Sequence, residues 1–207
     1  MDIRESYDSA AKAYAEHLAT ELLHKPLDRH LLDRFAESMT GRGEVADLGC
    51  GPGHVAGYLH ERGVRMVGID ISPAMIRIAS GLNPKLTFRV GDMTRLDIPD
   101  AGFAGVVAFY SIVHFAPSEL DSLFRNLRLK LTVGGLAFIA FHIGDEVVHV
   151  DELFGAPVSL DFRFHEPARV VEALRAARLE VFERTEREPY EGVEYPSRRC
   201  YLLARAT

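Results

Sequence analysis

Val45-Ala46-Asp47-Leu48-Gly49-Cys50-Gly51-Pro52-Gly53-His54 is a short apolar run that breaks into three glycines at alternate positions and then enters a helical pattern. Strand, tight turn and helix is the order in which an open α/β sheet presents its ligand loops. The glycines let the backbone turn sharply and come close to a small molecule. Outward from this stretch the texture repeats as RMVGID (65–70), PAMIRIASGL (73–82) and KLTFRVGD (85–92). A run at Gly105–Tyr110, a helix over Glu119–Leu131 with Ser118 as its N-cap, and a fifth run at Leu136–His142 complete the series. Such alternation predicts βαβ units around a parallel sheet, whose strands are buried on both faces and read as near-continuous apolar runs.

The flanks are different. Ile3, Tyr7, Ala11, Tyr14 and Leu18 fall on one helical face, and Leu27, Leu31, Leu32 and Phe35 repeat the pattern before Gly41 and Gly43 stop it. Residues 1–43 are therefore expected to form a helical cap on a sheet spanning 44–207, all within a single domain. Asp145–Phe164 alternates weakly and reads as an insertion, either extended or a short helix followed by a strand. Pro167 opens another helix, after which LEVFERTERE and RRCYLLARA read as two more strands. The linker between them is shorter than the dozen or more residues of a parallel crossover, so they pair antiparallel. The expected fold class is α/β, doubly wound and Rossmann-like.

Composition narrows the partners. With 207 residues, 47% of them apolar, the chain can bury one sizeable core. Its net charge of −6 argues against nucleic acid or any polyanion as substrate. Two cysteines, Cys50 and Cys200, are too few for a disulfide framework or a cysteine zinc site, which points to a reducing, cytoplasmic setting. The polar start, MDIRESYDSA, and the short apolar stretches suggest neither export nor a membrane span.

The ligand is read from the strand ends. A dinucleotide loop spaces its glycines G-x-G-x-x-G, whereas here the third glycine comes one residue early, and no phosphate-gripping Lys follows. A nicotinamide-dependent oxidoreductase is thereby disfavoured. Asp70 ends the second strand where an acceptor-only carboxylate takes both hydroxyls of a ribose. Asp92 ends the third, placed to accept from an exocyclic amine, with Ile71 and Met93 on either side of a flat base. Either aspartate alone reads equally well as a helix cap or a solvated turn; three matched strand ends favour a nucleoside.

With these residues in hand, the sequence resembles the class I S-adenosylmethionine-dependent methyltransferases, through VADLGCGPGH (45–54), VGID (67–70), GDM (91–93) and the LTVGG turn (131–135). Tyr7-Asp8-Ser9-Ala10-Ala11-Lys12-Ala13-Tyr14 and Tyr110-Ser111-Ile112-Val113-His114-Phe115 are similar to segments of its small-molecule branch. The resemblance implies a seven-stranded sheet of order 3-2-1-4-5-7-6 with the seventh strand antiparallel. It implies S-adenosyl-L-methionine as cofactor, its methionine part held by the loop Gly49, Cys50, Gly51 and Gly53, its ammonium oriented by Asp47, its ribose by Asp70, and its adenine by Asp92 and Met93. Tyr14 and Tyr110 join that cofactor set, Tyr7 and Tyr14 as a lid or as residues buried against the sheet domain.

A general base is sought among His114, His142 and His165, because imidazole titrates in the useful range. His114 and His142 are the catalytic candidates, His142 because the last residue of a strand can point into the crevice, and a packing or cofactor-side role is the alternative for His114. The fourth strand lacks the Asp/Asn-Pro-Pro-aromatic segment of amino-methylating nucleic-acid enzymes, a Pro-Cys nucleophile is missing, and no carboxylate cluster suits a metal. A small organic acceptor remains, with a non-catalytic cofactor-binding module as the alternative.

Overall fold

Four of the five residues of β1 (Glu44–Leu48) are buried, as a strand covered on both faces requires. The computed structural model describes residues 1–207. Around β1 stand β2 (Arg65–Asp70), β3 (Thr87–Val90), β4 (Phe103–Phe109) and β5 (Leu131–His142), all parallel. The hairpin β6 (Val147–Leu153) and β7 (Ala156–Arg163) forms a separate two-stranded sheet. The main sheet is completed by β8 (Leu179–Arg187) and β9 (Arg199–Ala206), in the order β3-β2-β1-β4-β5-β9-β8. Counted without the hairpin this is the expected 3-2-1-4-5-7-6, and β9 is antiparallel to both neighbours.

Two helical layers cover the sheet. On one face α5 (Leu120–Lys130) and α6 (Pro167–Ala176) bury Leu123, Phe124, Leu127, Val170 and Leu174. On the other, α2 (Pro26–Met39) and α3 (His54–His60) bury Leu32, Phe35, Met39, Val55 and Leu59. Each large apolar side chain so buried contributes about 1.5–3 kcal/mol. The expected cap over 1–43 is thus divided. α2 belongs to the sheet's core, and only α1 (Ile3–Leu18) lies over the ligand end, against β7 and α4 (Pro73–Leu82).

The buried face of α1 also differs from expectation. Ser6, Ala10 and Ala11 are buried while Ile3 is 39% exposed, because small side chains let the helix approach β7 closely. Ser6 Oγ accepts from the Ser159 amide at 3.1 Å, and Asp8 accepts from Ser72 Oγ and the Ala74 amide at 2.6 and 2.9 Å, tying α1 to the hairpin and to the start of α4. Ser118 is not the cap of α5. The chain enters helical dihedrals at Glu119, whose carboxylate accepts from the Ala116 amide instead. The insertion turns at Phe154 and Gly155, both at positive φ, the requirement of a tight two-residue hairpin.

Candidate functional site

The strand order reverses between β1 and β4, and beyond their carboxyl ends lies a pocket of about 220 Å³. Gly49 and Gly51 form one wall. At Gly49, φ +70°, a β-carbon would stand 2.5 Å from Ser111 Cβ, so only glycine lets the loop pass the end of β4. The Gly51 amide donates to Asp70 Oδ2 and the Ser72 amide to Asp70 Oδ1, each at 2.8 Å. Each oxygen keeps a second lone pair, and the Asp70 side chain lines the pocket. Burial pushes this carboxyl up while the two amides oppose the shift.

Ile71, Met93 and Asp92 line the outer part of the pocket. Asp92 Oδ1 accepts from the Thr94 amide and hydroxyl at 2.8 and 2.7 Å, so this aspartate makes the turn that its sequence position also allowed, with one oxygen left over. Tyr14 rests against Gly51 and meets Tyr7 edge-on at 5.8 Å; both rings line the pocket.

Three expected residues of this loop do not themselves line the pocket. Gly53, φ +80°, starts α3 and packs on Phe88, and Cys50 points its sulfur toward Gly68 on β2. Burial pushes the Cys50 thiol up, which suits a packing residue. Asp47 lies beneath the loop, 1% exposed, with Oδ2 buried and without a partner. Desolvation raises its carboxyl to about 7, opposed by His54. An orphaned carboxylate oxygen under a glycine cradle fits a ligand that brings a cationic nitrogen, and the two spare lone pairs of Asp70 fit a diol.

Behind the tyrosines opens a second cavity of about 810 Å³, which shares Tyr7, Tyr14, Phe109 and Tyr110 with the first. Its walls include Phe162 and Phe164 from the hairpin segment and Tyr195 from the loop before β9. Phe154 at the hairpin tip stacks on His17 of α1 at 3.9 Å across the mouth. Tyr110 holds a left-handed conformation, φ +57°, directly after β4, a strained geometry that accompanies functional sites.

Below this cavity lies a buried ionic network that sequence reading did not find. Asp28 accepts from Tyr201 Oη at 2.8 Å and from Arg187 Nη2 at 3.0 Å, and Tyr110 Oη lies 2.8 Å from Tyr201 Oη. Arg187, Lys25 and Arg199 all pair with Glu194, and Lys25 also pairs with Glu21. His54 Nε2 approaches Glu21 Oε2 at 3.0 Å, close enough for an ion pair but without a hydrogen bond's alignment. Burial works against the charge on Glu21 and Glu194, yet their cationic neighbours hold both down at about 2. Asp28 sits three residues before Leu31 on the apolar face of α2, a charge where none belongs, and that was its one visible signal.

The candidate bases are constrained. His114 Nδ1 lies 3.1 Å from the Asp161 carbonyl and so carries the ring proton; its Nε2 then accepts from Tyr7 Oη at 2.7 Å. Burial lowers His114 to about 4 and His142 to about 3, the latter with help from Arg199 and Lys25. His165 is buried, with Nε2 near the Ile112 carbonyl, and lines neither cavity. Because the folded chain resists protonating His142 and the unfolded chain does not, stability from this residue is present above about 6.5 and is lost as pH falls toward 3. The wild type should therefore lose stability relative to H142Q between pH 7.5 and 5, measured by urea titration; a constant difference would show that His142 titrates normally.

Residues 45–135 match a family model described as a methyltransferase domain, and Asp47, the glycine loop, Asp70, Asp92 and Tyr110 all fall inside the match. Over this stretch the chain is similar to methyltransferase domains. Among curated methyltransferases, magnesium-protoporphyrin O-methyltransferase of Rhodobacter capsulatus is 34% identical over 52% of this chain and 49% of its own length. 2-Heptyl-1-hydroxyquinolin-4(1H)-one methyltransferase of Mycobacteroides abscessus is 31% identical over 47% and 44%. The chain spans about half the length of these methyltransferases. The solved structure of 1,6-didemethyltoxoflavin-N1-methyltransferase from Burkholderia thailandensis shares the fold at a TM-score of 0.74 and 19% identity, over 99% of this chain and 87% of that one. No group of three or more His, Cys, Asp or Glu in this chain could hold a metal ion, and no helix is long and apolar enough to cross a membrane.

Proposed function

We propose that the chain transfers the methyl group of S-adenosyl-L-methionine to a small organic acceptor bound in the larger cavity. The observation that carries this reading is the pair of joined cavities, a glycine-and-carboxylate pocket opening through Tyr7, Tyr14 and Tyr110 onto an aromatic chamber. In its bound state the cofactor supplies a methyl group already activated on a sulfonium, so the protein's work is to align the acceptor and exclude water. Gly49 and Gly51 would hold the methionine part, Asp47 face its ammonium, Asp70 take the ribose hydroxyls, and Ile71, Asp92 and Met93 surround the adenine. Tyr7 and Tyr14 would separate the sulfonium from solvent.

The related protoporphyrin and quinolone methyltransferases act, by their names, on ring-bearing small molecules, which suits a chamber walled by Phe162, Phe164 and Tyr195. A non-catalytic cofactor-binding module would have no use for that chamber. A cytoplasmic location is part of the proposal and rests on the free thiols of Cys50 and Cys200. Incubation with the methyl-labelled cofactor and a library of small ring compounds should yield labelled products. Tight cofactor binding with no transfer to any acceptor would favour the non-catalytic module.

A further inference from the structure

Resting on that reading, we infer that the larger cavity selects a flat acceptor whose reacting oxygen is already an anion when it binds, such as an acidic phenol, enol or N-hydroxyl group, or a carboxylate. His142 and Arg199 are the groups that recognise it.

The hydrogen bonds of His142 decide its role. Ser197 Oγ accepts from Arg199 Nη1, and His142 Nδ1, 2.7 Å away, is the one acceptor within reach of the serine's own proton, which assigns that proton to the bond with His142. The imidazole proton then sits on Nε2, which has no protein partner and is not sealed from the cavity. His142 thus presents an N–H to the chamber, a donor rather than a base. His114 has no free lone pair either, since Nε2 takes the Tyr7 hydroxyl. Glu21 and Glu194 are tied to Lys25, Arg187 and Arg199, and His54 faces Glu21. The other carboxylate and imidazole groups, Glu16, His17 and His24, are exposed at the rim, and the remaining titratable side chains are tyrosines.

The chamber supplies donors where it lacks a base: its buried cations, Lys25 and Arg199, are balanced by Glu21 and Glu194, but not every N–H is used. Arg199 is 2% exposed, and its Nε has no partner. An anion beside a buried guanidinium in a water-poor site is held far more strongly than in bulk solvent. The walls set the shape: His142 stacks on Phe164 at 4.9 Å and 14°, with Tyr195 edge-on to Phe164 at 5.8 Å and Tyr110 at 5.3 Å from His142. These rings make a slot for a planar group.

An anionic acceptor needs no base. Its oxygen's electron pair forms the new bond to the methyl carbon as the carbon–sulfur bond breaks, the leaving pair stays on sulfur, and both products are uncharged at those atoms.

Calorimetry on the whole chain, saturated with S-adenosylhomocysteine, tests the inference. The probes are 4-nitrophenolate against 4-nitroanisole, and 1-naphthoate against its methyl ester, so the two arms separate phenolate from carboxylate recognition. At least one anion should bind about tenfold or more tighter than its neutral counterpart, the scale of one charge-assisted hydrogen bond. H142Q, which keeps an N–H, should retain most of that preference, and H142F and R199M should lose it, with folding of each checked by urea titration. Equal affinities in both pairs, preference for the neutral forms, or binding of no probe overturns the inference. Binding of S-adenosylhomocysteine is measured first, so its failure overturns the functional reading and is told apart from a failure here. In transfer assays, kcat/KM should rise through the phenol's own ionisation with 4-nitrophenol and stay level above about pH 5.5 with 1-naphthoate, which is already ionised there; a limb near pH 6–7 shared by both would mark a histidine base and also overturn it.

Discussion

Asp28→Ala should cost about 3–5 kcal/mol of folding stability, because removing one partner of a buried ion pair leaves the other charge uncompensated. Asp28 is fully buried on α2 and is the acceptor for Arg187 and for the Tyr201 hydroxyl. Burial pushes its carboxyl up despite Arg187, so making the pair brings little net stability while breaking it is expensive. The same residues join α2 to β8 and β9 and fix the Tyr110 ring at the boundary of the two cavities. Urea denaturation of D28A should show the full loss, and the double replacement D28L/R187M, which removes both charges, should recover much of it. A loss below about 1 kcal/mol in D28A, the range of an exposed pair, would contradict a buried network.

Asp70→Ala should weaken cofactor affinity by about 1.5–3 kcal/mol for each charge-assisted bond removed. Two effects combine. The ribose hydroxyls would lose their proposed acceptors, and the Gly51 and Ser72 amides would lose theirs, loosening the loop as well. D70N separates them, since an amide retains one acceptor oxygen for the loop while giving up the charge. Calorimetric titration with S-adenosylhomocysteine measures both variants. Unchanged affinity in D70A would place the ribose somewhere else.

Much of this was legible in the chain itself. Each strand of the parallel sheet announces itself as a buried apolar run, and the short link before Arg199 dictates an antiparallel last strand. Gly49, Gly51 and Asp70 were readable because backbone geometry and strand ends leave marks in local sequence. What escaped depends on contacts between distant segments. Glu194 lies in a loop with no periodicity, yet it gathers Lys25, Arg187 and Arg199 from three parts of the chain. His142 was a candidate base from its position at the end of β5; Ser197 Oγ, 2.7 Å from its Nδ1, and Arg199 behind that serine make contacts that no local pattern reveals. The insertion became a hairpin because Phe154 accepts a positive φ beside Gly155, a conformation that bulky residues rarely take.

The Gly49–Gly51 loop and Asp70 are proposed to hold S-adenosyl-L-methionine. Calorimetric titration of the wild-type chain, in parallel with S-adenosylhomocysteine and with a nicotinamide dinucleotide, tests it most directly. Saturable one-to-one binding of the former only is expected, accompanied by about 2.7 kcal/mol of added stability at one hundred times its Kd. Binding of the dinucleotide without S-adenosylhomocysteine would contradict it.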